Sequence, residues 1–233
     1  MAHPSAILLA VQIIGVVIYP FMEETRLGRG AFEVFGALVL ALAILSVRHS
    51  AGPNWIPISL GVVASGLGIA DAVNHAGVLL VLSALFHMLF YFWAAGSLMV
   101  YMLADQTVTT DELFAVGATF TLVAWAFAYL FVMVQEWQPG AFIAAVDPEA
   151  PRTWMELLFL SFTNLSGTGL SDIVPVNVHA RSFVMVEQLA GVAYIALFVS
   201  RLIGLTNARQ RDQLGGDRST AAARPADPGA DQR

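Results

Sequence analysis

Six stretches of this sequence are apolar and long enough to cross the ~30 Å hydrocarbon core of a bilayer, which takes about 20 helical residues. They run over Ser5–Met22, Ala31–Val47, Trp55–Val73, Gly77–Ala104, Thr110–Trp137 and Ser182–Leu205. A seventh, Thr153–Leu165, is too short: its roughly 13 residues reach about 20 Å. The order therefore predicts an all-α membrane protein of six transmembrane helices, with a re-entrant half-helix between the fifth and the sixth. Only 12% of the 233 residues are charged and 58% are hydrophobic, more apolar surface than a soluble core of this size can bury.

The breaks between stretches carry turn chemistry. Glu23 to Gly30 is a charged, glycine-containing loop, and Ser50 to Asn54 is a turn. Thr109 with Glu112, and Thr153 with Glu156, each read as a capping box that starts a helix. Trp55, Trp137 and Trp154 stand near helix ends, where a membrane-interface belt would place them. From Asn207 the chain turns to Arg, Asp, Ala, Gly and Pro, a composition that predicts a disordered tail too short for a regulatory domain. Any cytoplasmic ligand domain that gates the protein is then a separate partner. Arg201, Arg209, Arg211, Arg218 and Arg224 follow the last helix and predict a cytoplasmic C-terminus. The first apolar stretch lacks a preceding positive region and a clear cleavage site, so it reads as a mature helix.

Several function classes drop out. The net charge is −6 without a basic patch, which gives no footprint for nucleic acid. There is no cysteine, so disulfides, thiolate metal sites and cysteine nucleophiles are excluded. An intramembrane enzyme needs convergent acid, base or metal groups. Within the spans only His87, Glu187 and Glu33 qualify, on separate elements, so no catalytic or metal residue is assigned. Asp71 and His75 read as a solvated pair, His87 as a helix-packing hydrogen bonder, and Gly15, Gly61, Ser65, Gly66 and Gly68 as close-packing positions. The fourth stretch carries no Arg, which argues against a voltage sensor.

Function concentrates after Thr153. A capped half-helix leads into a Ser/Thr/Gly-rich segment at bilayer depth, then Asp-Ile-Val-Pro and a full helix. Non-helical backbone survives at that depth only where it is buried in protein or lines water. A half-helix also aims its partly negative C-terminus at the membrane centre, where it stabilises a cation. The residues by themselves thus predict a cation-lining re-entrant loop.

The segment SFTNLSGTGLSDIVP resembles the filter of the potassium-channel superfamily, in which threonines precede T-x-G-[YF]-G-D-x-x-P. With Asp172 and Pro175 in register, Gly169 matches the first filter glycine. The resemblance extends from Thr109 to Leu205, as outer helix, pore helix, filter and inner helix. It implies a four-fold homotetramer, since each chain supplies one pore loop. It also implies a filter at Ser166, Gly167, Thr168, Gly169, Leu170 and Ser171, an outer-mouth carboxylate at Asp172, and a hinge at Gly191. Glu187, one turn before Gly191, is expected behind the filter, bracing the pore helix. The departures are Gly167 for the filter threonine, Leu170 for the aromatic and Ser171 for the second glycine. They predict weak selectivity among monovalent cations, and a strained backbone at Ser171.

The domain organisation follows: an accessory bundle at 1–108, the pore domain at 109–206 and the tail at 207–233. The expected function is passive conduction of monovalent cations, potassium and also sodium, in the cell membrane. No cofactor is expected, and lipids are the other partners. The competing class is a non-conducting membrane scaffold or an intramembrane enzyme.

Overall fold

The computed structural model describes residues 3–23, 35–36, 38–44, 55–74, 77–104 and 109–222, and of 22–23, 202 and 204–222 the helical backbone alone. The helices are α1 (Pro4–Glu23), α2 (Trp55–Asn74), α3 (Gly77–Ala104), α4 (Thr110–Trp137), α5 (Trp154–Leu165) and α6 (Val178–Ala222), with residues 38–44 also helical. All except α5 contain a stretch long and apolar enough to span a bilayer, five candidate spans among the described residues. The chain is an all-α, multi-pass membrane protein. Of the second predicted stretch, 31–47, only residues 35–36 and 38–44 are described, and residues 24–30, 50–54 and His75 lie outside the described residues.

Helix α4 is the hub. It packs along α3, α1, α5 and α6, while α2 lies on α3. Its buried face includes Ala115, Ala118, Ala124, Ala126 and Ala128, all fully buried. Small side chains let helix backbones approach closely where lipid offers no hydrophobic drive between helices. The extensive α3–α4 contact also joins the expected accessory bundle to the expected pore domain across the boundary at 108.

An aromatic layer fills the space beside the alanines. Trp125 meets Tyr91 and Trp154 edge-on, each with ring centroids 5.5 Å apart. His87 stacks on Tyr129 at 4.6 Å, and its Nδ1 donates to the Ser83 carbonyl at 2.9 Å. The histidine therefore bonds its own helix and packs against the neighbour through its ring face. Trp55 and Trp137 are 69% and 65% exposed, as an interface belt requires, whereas Trp154 is partly buried against the core. The start of α5 is thereby set against α4.

Two features depart from the sequence reading. A two-residue antiparallel pairing, β1 (Phe142–Ile143) with β2 (Val174–Pro175), joins the segment before α5 to the segment after the loop. Helix α6 runs on to Ala222, about 68 Å in all, through residues expected to be disordered from Asn207. Extending an existing helix costs far less than starting one, and Arg, Gln, Leu and Ala all propagate it well.

Candidate pore loop and its supports

The start of α5 is over-determined. The Thr153 hydroxyl accepts from Glu156 N–H at 3.3 Å, and a Glu156 carboxylate oxygen accepts from Thr153 N–H at 2.6 Å, the full capping box that the sequence predicts. One residue earlier, Arg152 is buried, with its main chain clasped by one side chain of α4. Gln135 Oε1 accepts from Arg152 N–H at 2.7 Å, and Gln135 Nε2 donates to Arg152 C=O at 3.0 Å. The guanidinium donates to the carbonyls of Val146, Asp147 and Ala150 and to Glu156 Oε1 at 3.3 Å. Glu156 is thus an ion-pair partner as well as a capping acid.

The end of α5 is held differently. Its 12 residues, about 18 Å, stop at Ser166. Gly167 follows at φ +74° and donates its N–H to Asn164 C=O at 3.0 Å. Gly169, at φ +63°, donates to Thr163 C=O at 3.1 Å. The hydroxyls of Ser166 and Thr168 reach the same Thr163 carbonyl, each at 3.3 Å. Positive φ is open to glycine and strained for a residue with a Cβ. Gly167 is therefore a helix-capping glycine, which the gapless comparison with a threonine position did not show.

Beyond this hook the loop is bare on its other side. Ser166, Gly167, Thr168, Gly169 and Leu170 are exposed in the single chain, Leu170 to 78%. The strain expected at Ser171 is absent: Asp147 is the only described non-glycine residue at positive φ. The Ser171 hydroxyl instead accepts from Ile173 N–H at 3.0 Å and closes a turn. Asp172 is exposed, while Ile173 beside it is buried. Arg181 donates to Pro175 C=O at 3.2 Å.

Behind the loop, α6 presses on α5. Glu187 is fully buried, and the Ser161 hydroxyl lies between its carboxyl and the Ala124 carbonyl, 2.8 Å away. One carboxyl thereby ties α6 to α5 beside α4. One turn on, a Cβ at Gly191 would stand 2.0 Å from the Leu165 carbonyl oxygen, so glycine is required for close approach of α6 to the end of α5. Further along the same face, Tyr194 donates to Val116 C=O at 2.5 Å and Arg201 lies 3.5 Å from Glu112.

The structure brings together all the residues that the sequence singled out between Ser166 and Gly191, either in the loop or directly behind it. Sequence reasoning passed over Gln135, Arg152, Ser161 and Asn164. Its available signals were a glutamine near the end of an apolar helix and an arginine just before a capping threonine, both common for other reasons.

Residues 75–207 match the sequence model of a family described as ion channel, more than half of the 233 residues. The chain belongs to this ion-channel family. Its pore domain is of the potassium-channel type, and the protein is a transport protein rather than an enzyme. The match takes in α3, α4, α5 and α6 as far as residue 207. No curated protein and no solved structure matches the channel.

Proposed function

We propose that the channel is a homotetramer that passively conducts monovalent cations, with weak preference between potassium and sodium. Four copies of residues 166–171 form the filter around a four-fold axis, and four Asp172 carboxylates draw cations to its outer mouth. The observation that carries this reading is the pore helix itself. A capped half-length helix ends in a loop with its amides turned back on the helix and its other side uncovered. With two amides so engaged, the loop has mainly carbonyl oxygen left to offer an ion, the ligand that replaces water around potassium. Weak selectivity follows from Gly167, whose positive φ excludes a hydroxyl-bearing side chain, and from Leu170, which is 78% exposed in the single chain and has no polar handle. Glu187 braces the filter from behind, and α6 pivots at its contact point, Gly191. The permeant cations are the only ions required, and no cofactor takes part.

Six crossings and a cytoplasmic C-terminus fit the same reading. Asp111 accepts from Ser5 N–H at 3.2 Å and from the Ser5 hydroxyl at 2.8 Å, and Glu112 meets Arg201. The starts of α1 and α4 and the end of the apolar part of α6 therefore share one membrane border. An even number of crossings then separates α1 from α4. With α1, α2 and α3 counted, the fourth falls to the stretch containing the helical residues 38–44. Lipid surrounds the bundle, and with no Arg on α3 the current varies little with voltage.

Recording from purified channel in planar bilayers tests the proposal. The reversal potential should move little when sodium replaces potassium on one side, and strongly when salt is diluted on one side. A potential that follows the potassium gradient alone would contradict weak selectivity. A purified mass of one or two copies, or a tetramer that passes no current, would favour the scaffold reading.

A further inference from the structure

Two buried polar atoms behind the loop are left without partners. Glu187 uses one carboxyl oxygen toward Ser161, while its Oε2 has no hydrogen bond in a residue that is fully buried. Asn164 lies within interaction reach of this carboxyl, and its Nδ2, in a residue only 7% exposed, stops just short of a formed hydrogen bond. One atom is an acceptor and the other a donor, so each is what the other lacks. An amide hydrogen left unpaired in this setting is costly, and a small slide of α6 against α5 closes the pair.

Asn164 also stands at a junction. Its carbonyl accepts the N–H of Gly167, the first turned-back amide of the loop, and Gln188 Nε2 reaches its Oδ1 at 3.5 Å. The same residue thus faces the loop with its backbone and the inner helix with its side chain. Gly191 places the two helices in backbone contact one residue along, at Leu165, so a shift of α6 cannot be absorbed between them.

We propose that Asn164 is a positioning residue of the filter: its Nδ2 donates to Glu187 Oε2, and through this bond the inner helix sets the conformation of the loop. The proposal rests on residues 166–171 being the filter. Closing the bond holds the Asn164 peptide in place and with it the Gly167 amide. Opening it frees the start of the loop. Ser161 keeps its hold on the other carboxyl oxygen in both states.

The donor and the acceptor can be exchanged. In Asn164→Asp the donor is lost, and in Glu187→Gln two amide NH₂ groups face each other. Together the two changes restore one donor and one acceptor, and the amide oxygen that Glu187→Gln retains can still accept from Ser161. Single-channel recordings on intact tetramers should show open bursts shortened about tenfold in each single variant, the size of one hydrogen bond to a charged group. In the double variant the bursts should return close to the wild-type length. A purely packing role predicts no such rescue, so a double variant as impaired as the singles, or singles with wild-type bursts, overturns the proposal. Where Asn164→Asp does not assemble, assembly of the double variant becomes the readout: recovery supports the bond, and failure overturns it. Thr168→Ala and Asp172→Asn are recorded alongside. Should both leave conductance and reversal potential untouched while ions still pass, the filter reading itself falls. Should they change either, with burst length insensitive to Asn164, only the present proposal falls.

Discussion

At its start helix α5 is tied through side chains to two other segments, whereas at its end it is tied through its own last carbonyls to the loop that it carries. The first end uses Thr153, Glu156, Arg152 and Gln135, which converge from α4, α5 and the segment between them. The second uses the carbonyls of Thr163 and Asn164, two glycine amides and two hydroxyls. Long side chains around a buried arginine make a fixed platform. Short backbone bonds leave the loop's outer side uncovered for an ion or a neighbouring chain. On the proposed reading the difference separates two duties: the start of α5 sets where the filter stands, and the end sets what it can bind.

Substitutions at the two ends should therefore fail in different ways. The largest effect is expected at the back of the far end. Gly191→Val would drive a side chain into the Leu165 carbonyl, where even a Cβ stands at 2.0 Å, and should abolish tetramers seen by size-exclusion chromatography. Normal assembly of that variant would show that α6 does not seat on α5 in this way. Next comes Arg152→Ala at the near end, which removes a buried hub of hydrogen bonds and should cost about 2–3 kcal/mol of stability. Thermal unfolding in detergent measures it, and surviving channels should keep their reversal potential. A changed reversal potential would erase the division of duties.

Gly167→Thr tests the far end more finely. A β-branched residue at φ +74° should cost roughly 1–2 kcal/mol, so the variant should be less stable without becoming more selective for potassium. Undiminished stability together with sharper selectivity would show that Gly167 occupies a threonine site. Thr153→Ala should cost about 1 kcal/mol, the value of one cap, again with normal permeation. The smallest change in stability belongs to Asp172→Asn, within about 0.5 kcal/mol for an exposed side chain. Its signature is a lower conductance in dilute salt that fades as salt screens the ring. A conductance deficit that persists at high salt would place Asp172 in the filter rather than at its mouth.

Most of the architecture could be read from the chain, because lipid makes strong demands on sequence. A span must be apolar and of fixed length, and a helix that begins in the membrane must be capped, so the five described spans and the start of α5 fell where hydropathy and Thr153 placed them. The tail misled because composition reports on the cost of starting structure, whereas α6 had only to continue. For Trp154 the sequence showed a place near a helix end but not the direction of its ring, which packs on Trp125.

Within the pore region, the sequence by itself determined the parts: a half-helix, a glycine-bearing loop, an acidic residue after it and an inner helix with one buried acid. These rest on local rules of period, capping and turn chemistry, which need no knowledge of distant neighbours. Tertiary structure alone decided the roles. Gly191 became a seat because the Leu165 carbonyl lies against it, Gly167 became a cap because the chain reverses there, and Ser161 and Asn164 became supports because Glu187 comes to rest beside them. Apart from the local cap at Gly167, each of those roles is a contact between residues far apart in the chain, and such contacts exist only after the helices have packed.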